Sequence, residues 1–343
     1  PVLARKMGFG EGRDGETRLL SELIPQAREH VVMTIGVRMP PVKLRTVPSH
    51  PEGQVLFKVN EVAVATEELP VDHTLALAGP SELRRFGVTG RPTANPLNGR
   101  PAAWVSDAVA PLVESAGVSV WATDAALSLH LVRVTLEYAE RFVGLQEVAE
   151  MVRSLEGCAP DLVAQVIPRT VTLSQTRDVL RQLVREGVSV RDLKTIVDAL
   201  GTHGGTSANF IELVERVRAE LGLQIVAAWA GPSRRVSAVT VDPVLEDLVR
   251  DAVVERPSGS SLALAPEHRR AIIEAAQRVL EPVMGAGAAP IIVTHAPVRY
   301  FFQELVAGEL PARVLSYEEL PRDIHVLPVG CVAFEAVERL VAA

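Results

Sequence analysis

The run GTHGGT, residues 201–206, places a histidine beside glycines. It resembles the His-Gly-Gly loops with which esterases bind a developing negative charge through backbone N–H groups. That chemistry also needs a serine on a sharp strand-to-helix elbow, and the 343 residues contain no G-x-S-x-G. His203 with its glycines therefore leaves two readings, a hydrolase and a flexible connection between two helices. GFGEGRDG, residues 8–15, resembles a dinucleotide fingerprint, but its sixth position is Arg13 and no strand precedes it, so it reads as a linker. GAGAAP, residues 285–290, runs into a strand instead of out of one and reads as a turn. The eight histidines show no H-E-x-x-H and no i, i+4 pairing, so no metal site and no cofactor is expected. Glu67-Glu68 and Glu318-Glu319 are neighbours whose side chains diverge, which predicts solvated surface and offers no acid–base pair.

A second candidate is LVREGVSVRDLKTIVDAL, residues 183–200, which carries three basic and three acidic side chains around a break between two apolar patterns. Gly187 suits a left-handed helix end, Ser189 an N-cap with Asp192 at N3, and Val188 with Leu193 a hydrophobic staple. Val190, Leu193, Ile196, Val197 and Leu200 then make one apolar stripe, leaving Arg191, Asp192, Lys194 and Asp198 outside it. A nucleic-acid module would use Arg185, Arg191 and Lys194, but the mixed charge fits a solvated face or a protein contact better. The whole chain agrees: 35 basic against 42 acidic residues give a formal charge of −7, with no general pull toward nucleic acid or anionic lipid.

The elements that must position these residues follow from periodicity. Leu19, Leu20, Leu23, Ile24, Ala27, Val31 and Val32 predict a helix over 16–35 closed by Gly36. Val42, Leu44 and Thr46 alternate, and residues 54–64 read as a hairpin around Asn60-Glu61. Residues 79–122, dense in Gly, Pro and Asn, read as an inserted subdomain with a helix over 106–116 and a strand over 118–121. Helical spacing dominates from 125 to 228. Strands at 236–241, 290–294 and 313–316 then alternate with helices at 243–254, 266–282 and 297–307. The expected fold is α/β plus α with several subdomains. Its parts are a linker at 1–16, a mixed α/β unit at 17–78 and 123–145, the insert at 79–122, a helical subdomain at 146–228, and a C-terminal α/β subdomain at 229–343. Length and a 48% hydrophobic share allow a sizeable core. Cys158 and Cys331 have no C-x-x-C spacing, which favours a reducing compartment over a disulfide framework, and no apolar run reaches the span of a bilayer. Pro1 in place of methionine reads as the start of a processed or excised chain.

RFVGLQEVAEMVRSLE (141–156), LRQLVREGVSVRDLKTIVDAL (180–200) and VERVRAELG (214–222) occur in the order and spacing of a known pattern. With them come MPPVKLR (39–45), VNEVAVATEEL (59–69), AAWV (102–105), LHL (129–131) and PIIVTHAPVRYFFQELVAGELPARVLSYEEL (290–320). Together they resemble the large export-gate protein of type III secretion, the FlhA/SctV family, over nearly the whole chain. The resemblance implies a non-enzymatic domain on the cytoplasmic face of the bacterial inner membrane, following a membrane half outside this sequence. It implies a nine-membered homo-oligomeric ring that receives export substrates and their chaperones, contacts the export ATPase stalk, and needs no nucleic acid. Helical subdomains meet in such rings, which makes Arg191, Asp192 and Lys194 interface candidates; the family commonly has arginine where Lys194 stands, and lysine lacks the bidentate fork. Flagellar members carry an acidic and an aromatic residue around a Pro-x pair at the chaperone site. Here Asn95 and Asn98 flank Pro96 and Leu97, with Leu129 on the opposing helix, and F-x-G-x-Q-E stands at 142–147; both favour an injectisome-type member.

Overall fold

A computed structural model describes residues 3, 18–47, 49–207, 209–230, 234–256, 259–285 and 290–333. The linker read at 1–16, apart from Leu3, and the body of the GAGAAP turn lie outside the described residues. Two units make up the chain: Pro1–Gly144 with Val184–Arg191, and Leu145–Leu183 with Asp192–Ala343.

In the first unit a π-helical turn, Leu19–Leu23, leads into α1, Ile24–Ile35. Its buried positions Leu19, Leu23, Ile24, Ala27, Val31 and Ile35 lie on one stripe, and Gly36 closes the helix at φ 81°. Val42, Leu44 and Thr46 alternate without making a strand: residues 37–47 neither coil, turn nor pair. Strands β1 (Gln54–Val59) and β2 (Val62–Glu68) form the hairpin, and Asn60 and Glu61 take φ 50° and 67° because a two-residue turn matched to strand twist needs left-handed residues. Next come β3 (His73–Ala76), α2 (Pro80–Leu83), β4 (Arg91–Ala94), β5 (Pro101–Ser106), α3 (Ala110–Ser115) and β6 (Val120–Trp121). The four strands form an antiparallel sheet of order β4-β5-β3-β6, so this sheet takes β3 from upstream of residue 79. AAWV is buried on both faces. Ala102 and Trp104 join Leu75 and helix α4 (Thr123–Glu137) in one core, while Ala103 and Val105 join Ala76 and Val113 in the other.

In the second unit six helices follow one another: α5 (Leu145–Glu156), α6 (Pro160–Val166), α7 (Leu173–Arg185, whose last two residues group with the first unit), α8 (Leu193–His203), α9 (Phe210–Glu220) and α10 (Gly222–Ala230). The chain then enters β7 (Arg235–Val241) and α11 (Pro243–Asp251). The helix read over 243–254 stops at Asp251, because Val253–Arg256 (β8) turns back in a hairpin with Gly259–Leu262 (β9). After α12 (Pro266–Gly285) come β10 (Ile291–Thr294), α13 (Ala296–Val306), β11 (Arg313–Ser316) and β12 (His325–Val332). The parallel sheet has order β11-β10-β7-β12: the chain steps outward from β7 to β11, then returns to β7's other side. Strand β12 was hidden by Pro328 and Gly330, residues that an edge strand tolerates. Glycine is required at 330, where a Cβ would lie 2.4 Å from a Val279 methyl. Ile272, Leu280, Ile292, Val298, Phe302 and Leu305 centre the core, each such side chain stabilising the fold by about 1.5–3 kcal/mol.

Candidate functional site

The break between α7 and α8 is built differently from its sequence reading. Gly187 is left-handed at φ 71°, as expected. Ser189 does not cap α8; Asp192 does, with Oδ1 accepting the Thr195 N–H at 3.1 Å and Oδ2 the Thr195 hydroxyl at 2.8 Å. Val188 and Leu193 are both buried but no longer fall at staple positions. The cause is the end of α1, whose last carbonyls need donors. Val190 N–H donates to Ile35 O at 2.9 Å and Arg191 Nη1 to Met33 O at 3.0 Å, so residues 190 and 191 satisfy α1 instead of starting α8. Gly36 lets them approach, since a Cβ there would lie 2.8 Å from the Arg191 nitrogen.

Of the three interface candidates, two are thus engaged within the chain. Arg191 holds a carbonyl, while Asp192 holds its cap and accepts Gln224 Nε2 at 2.6 Å. Burial pushes the Asp192 carboxyl up, but the Thr195 and Gln224 hydrogen bonds and the Lys194 charge outweigh it and hold it below the ordinary range. Lys194 and Asp198 project to solvent, and the stripe of Val190, Leu193, Ile196, Val197 and Leu200 is buried throughout.

The docking candidates fall in two environments. Asn95 and Pro96, half-buried, and Leu97 and Asn98, exposed, form the loop between β4 and β5, preset by its own side chains: Asn95 Oδ1 accepts Leu97 N–H and Asn98 Oδ1 accepts Arg100 N–H, both at 3.0 Å. Leu97 is half-exposed at the tip. Leu129 is buried on α4, in the same core as Trp104.

Buried charge is what the sequence reading missed. Glu319, expected in solvent, is 1% exposed and accepts Arg218 Nε and Nη2 at 2.8 and 3.0 Å. Arg299, 0% exposed, grips Glu215 through Nε and Nη2 at 2.7 and 2.6 Å, and its Nε lies 3.8 Å from Glu319. These four residues join α9 to α13 and to the turn after β11. Burial still pushes the Glu215 carboxyl up, against the pull of Arg299 and Arg218. Glu246, also buried, accepts His295 N–H at 3.1 Å and contacts His295 Nδ1 at 2.6 Å, while Glu318 accepts the Ala296 N–H at 3.2 Å. Chain carboxylates therefore fill the N-terminus of α13, a position that attracts anions. Of the other supposed surface acids, Glu68 and Glu318 are exposed, but Glu67 lies half-buried between Arg133 at 2.6 Å and His130 at 3.4 Å. Only the adjacency of the acids was visible in sequence, and adjacency said nothing of these distant partners.

The His203 loop is explained by packing. A Cβ at Gly201 would meet Val166 at 2.7 Å, and one at Gly204 the Leu200 carbonyl at 2.5 Å. His203 Nε2 is 3.6 Å from Glu220, and the buried Ser207 hydroxyl nearby in sequence has no hydrogen-bond partner, so His203 is not placed as its base. Among the described residues no cluster of three His, Cys, Asp or Glu side chains could hold a metal ion, and no helix is long and apolar enough to cross a membrane.

Residues 11–325 match the profile of the FHIPEP family. Low calcium response locus protein D of Yersinia pestis is 27% identical over 318 residues, 92% of this chain and 45% of that protein, so the chain spans about half the length of this relative. The structure of the Chlamydia pneumoniae CdsV and CdsO protein complex matches with a TM-score of 0.86 and 28% identity, covering 96% of this chain and 95% of that one. Nonameric EPEC SctV-C shares the fold at a TM-score of 0.76, with 22% identity over 92% of this chain and 94% of its own.

Proposed function

The chain belongs to the FHIPEP family, the export-gate family of type III secretion, and from that premise we propose that it is the ring-forming cytoplasmic part of an injectisome-type gate. In this role it docks chaperone–substrate complexes without catalysing a reaction, beneath an inner membrane that the rest of the protein spans. The likeness to CdsV, which holds along almost the entire chain, carries this reading. CdsV was solved in complex with CdsO, which supports a protein partner for this chain too, and the partner proposed here is the export ATPase stalk that the family resemblance implies. Nine subunits is the number carried by the similarly folded SctV-C.

The corner geometry favours one of the three interface candidates over the other two. Arg191 and Asp192 are engaged inside the chain, whereas Lys194 stands in solvent, so Lys194 is the proposed contact. The test is assembly of the chain tethered at high density on lipid vesicles, since tethering restores the local concentration that closes a ring. Electron microscopy should show rings for the wild type and fewer for Lys194→Glu, with the melting temperature unchanged. Monomers alone under every tethering density would overturn the ring, and rings undiminished by Lys194→Glu would remove that residue from the interface.

A further inference from the structure

Residues 42–47, VKLRTV, have the composition of a strand and the position of one, but no partner. Val42, Leu44 and Thr46 alternate with Lys43, Arg45 and Val47. The stretch neither coils, turns nor bends, and residues 43–47 are all exposed. Among the described residues its one backbone hydrogen bond is at the far end, where Val47 O accepts His50 N–H at 3.1 Å. A row of open N–H and C=O groups on an extended segment is a template for another strand.

The segment is held in place before anything binds. Val37 and Met39 are buried, Val42 packs against the core around Trp104, and Pro40 and Pro41 fix their own backbone angles. A strand added here orders little of this chain, which lowers the entropic cost of binding.

We propose that residues 42–47 are a docking strand for an acidic, extended peptide segment of a partner protein, which pairs with them edge to edge. Charge names the occupant. Two exposed arginines of this unit are already neutralised by carboxylates, Arg91 by Glu68 at 2.7 Å and Arg18 by Asp124 at 3.3 Å. Lys43 and Arg45 have no carboxylate partner among the described residues. Residues 37–47 hold three cations and no acid, in a chain whose formal charge is −7. Lys43 and Arg45, two apart, fall on one side of an extended strand, so the complementary segment carries acids at alternate positions. Leu44 and Val47, 42% and 52% exposed, offer it apolar contacts.

The inference concerns one binding surface and stands independently of ring closure. Its test titrates a labelled alternating Glu/Val peptide of about ten residues into the intact chain, reading fluorescence anisotropy, with a Lys/Val peptide and a backbone N-methylated Glu/Val peptide as comparisons. Binding of the Glu/Val peptide should weaken about tenfold or more on N-methylation. A similar loss is expected for Lys43→Glu/Arg45→Glu, which should turn the preference toward the Lys/Val peptide, while circular dichroism shows the fold retained. Equal binding by the charge-reversed chain overturns the proposal, and so does indifference to N-methylation, which would mean charge attraction without strand pairing. It is equally overturned if the peptide fails to bind while the cations serve only vesicles of phosphatidylserine and phosphatidylcholine, or only self-association of the chain.

Discussion

Replacing Arg299 with methionine retains most of the stem's apolar bulk and deletes the guanidinium. Glu215, 7% exposed, then loses both of its short hydrogen bonds, while Glu319 keeps Arg218 at 2.8 and 3.0 Å. The Val314 carbonyl also loses its donor at 3.5 Å. Stranding a buried charge in this way costs about 3–5 kcal/mol. With a urea slope of about 1–3 kcal/mol per molar, the unfolding midpoint of the second unit should drop by more than about 1 M at neutral pH. The pH dependence has a definite sign. Glu215 is already pushed up by burial, and losing Arg299 raises it further, so the variant is penalised least in acid and loses stability as pH rises through the folded-state value. Adding Glu215→Leu removes the orphaned carboxylate, and the double variant should recover much of the loss. A single variant within about 1 kcal/mol of wild type, or a double variant that merely adds two losses, would refute the view that these charges stabilise the fold as mutually dependent partners.

His130 should make the first unit acid-sensitive. Burial first, and Arg133 next, lower its pKa against the opposing pull of Glu67, so the unfolded chain takes the proton more readily, and stability falls as pH drops below the ordinary imidazole value of about 6.5. His130→Gln should flatten the melting temperature between acid and neutral pH, and an unchanged slope would assign that sensitivity elsewhere. Asp192→Ala should cost about 1 kcal/mol in denaturant unfolding, with Asp192→Asn closer to wild type because an amide oxygen can still accept the Thr195 N–H. Gly222→Ala should be more harmful than an alanine in a helix ordinarily is, since its Cβ would lie 2.2 Å from the Glu319 carbonyl; a thermal melt matching wild type would show that the turn after β11 yields.

Period carried most of the fold. The stripe of α8, the β1–β2 turn at Asn60-Glu61 and the parallel strands β7, β10 and β11 were legible because each depends on residues near one another in sequence. Distant partners set what was misread. Ser189 looked like a cap until Val190 and Arg191 were claimed by the end of α1, which moved the cap to Asp192. Glu319 looked solvated because Arg218 and Arg299 are remote in sequence. In the candidate site, Lys194 lies on the exposed side its stripe predicts, but Leu129 is a core residue of α4, and sequence could not separate the two cases.

The first unit is written in two separate passages, Pro1–Gly144 and Val184–Arg191, with part of the second unit between them. A single genetic crossover therefore cannot hand it on whole without part of the second unit. A chimaera of two relatives spliced after Gly144 would join one parent's Met33, Ile35 and Gly36 to the other parent's residues 190 and 191, across contacts that tolerate neither a side chain at 36 nor a lost donor at 190. Those few positions must be inherited together, so recombination between diverged relatives is constrained there even though ordinary point substitution acts on each residue separately.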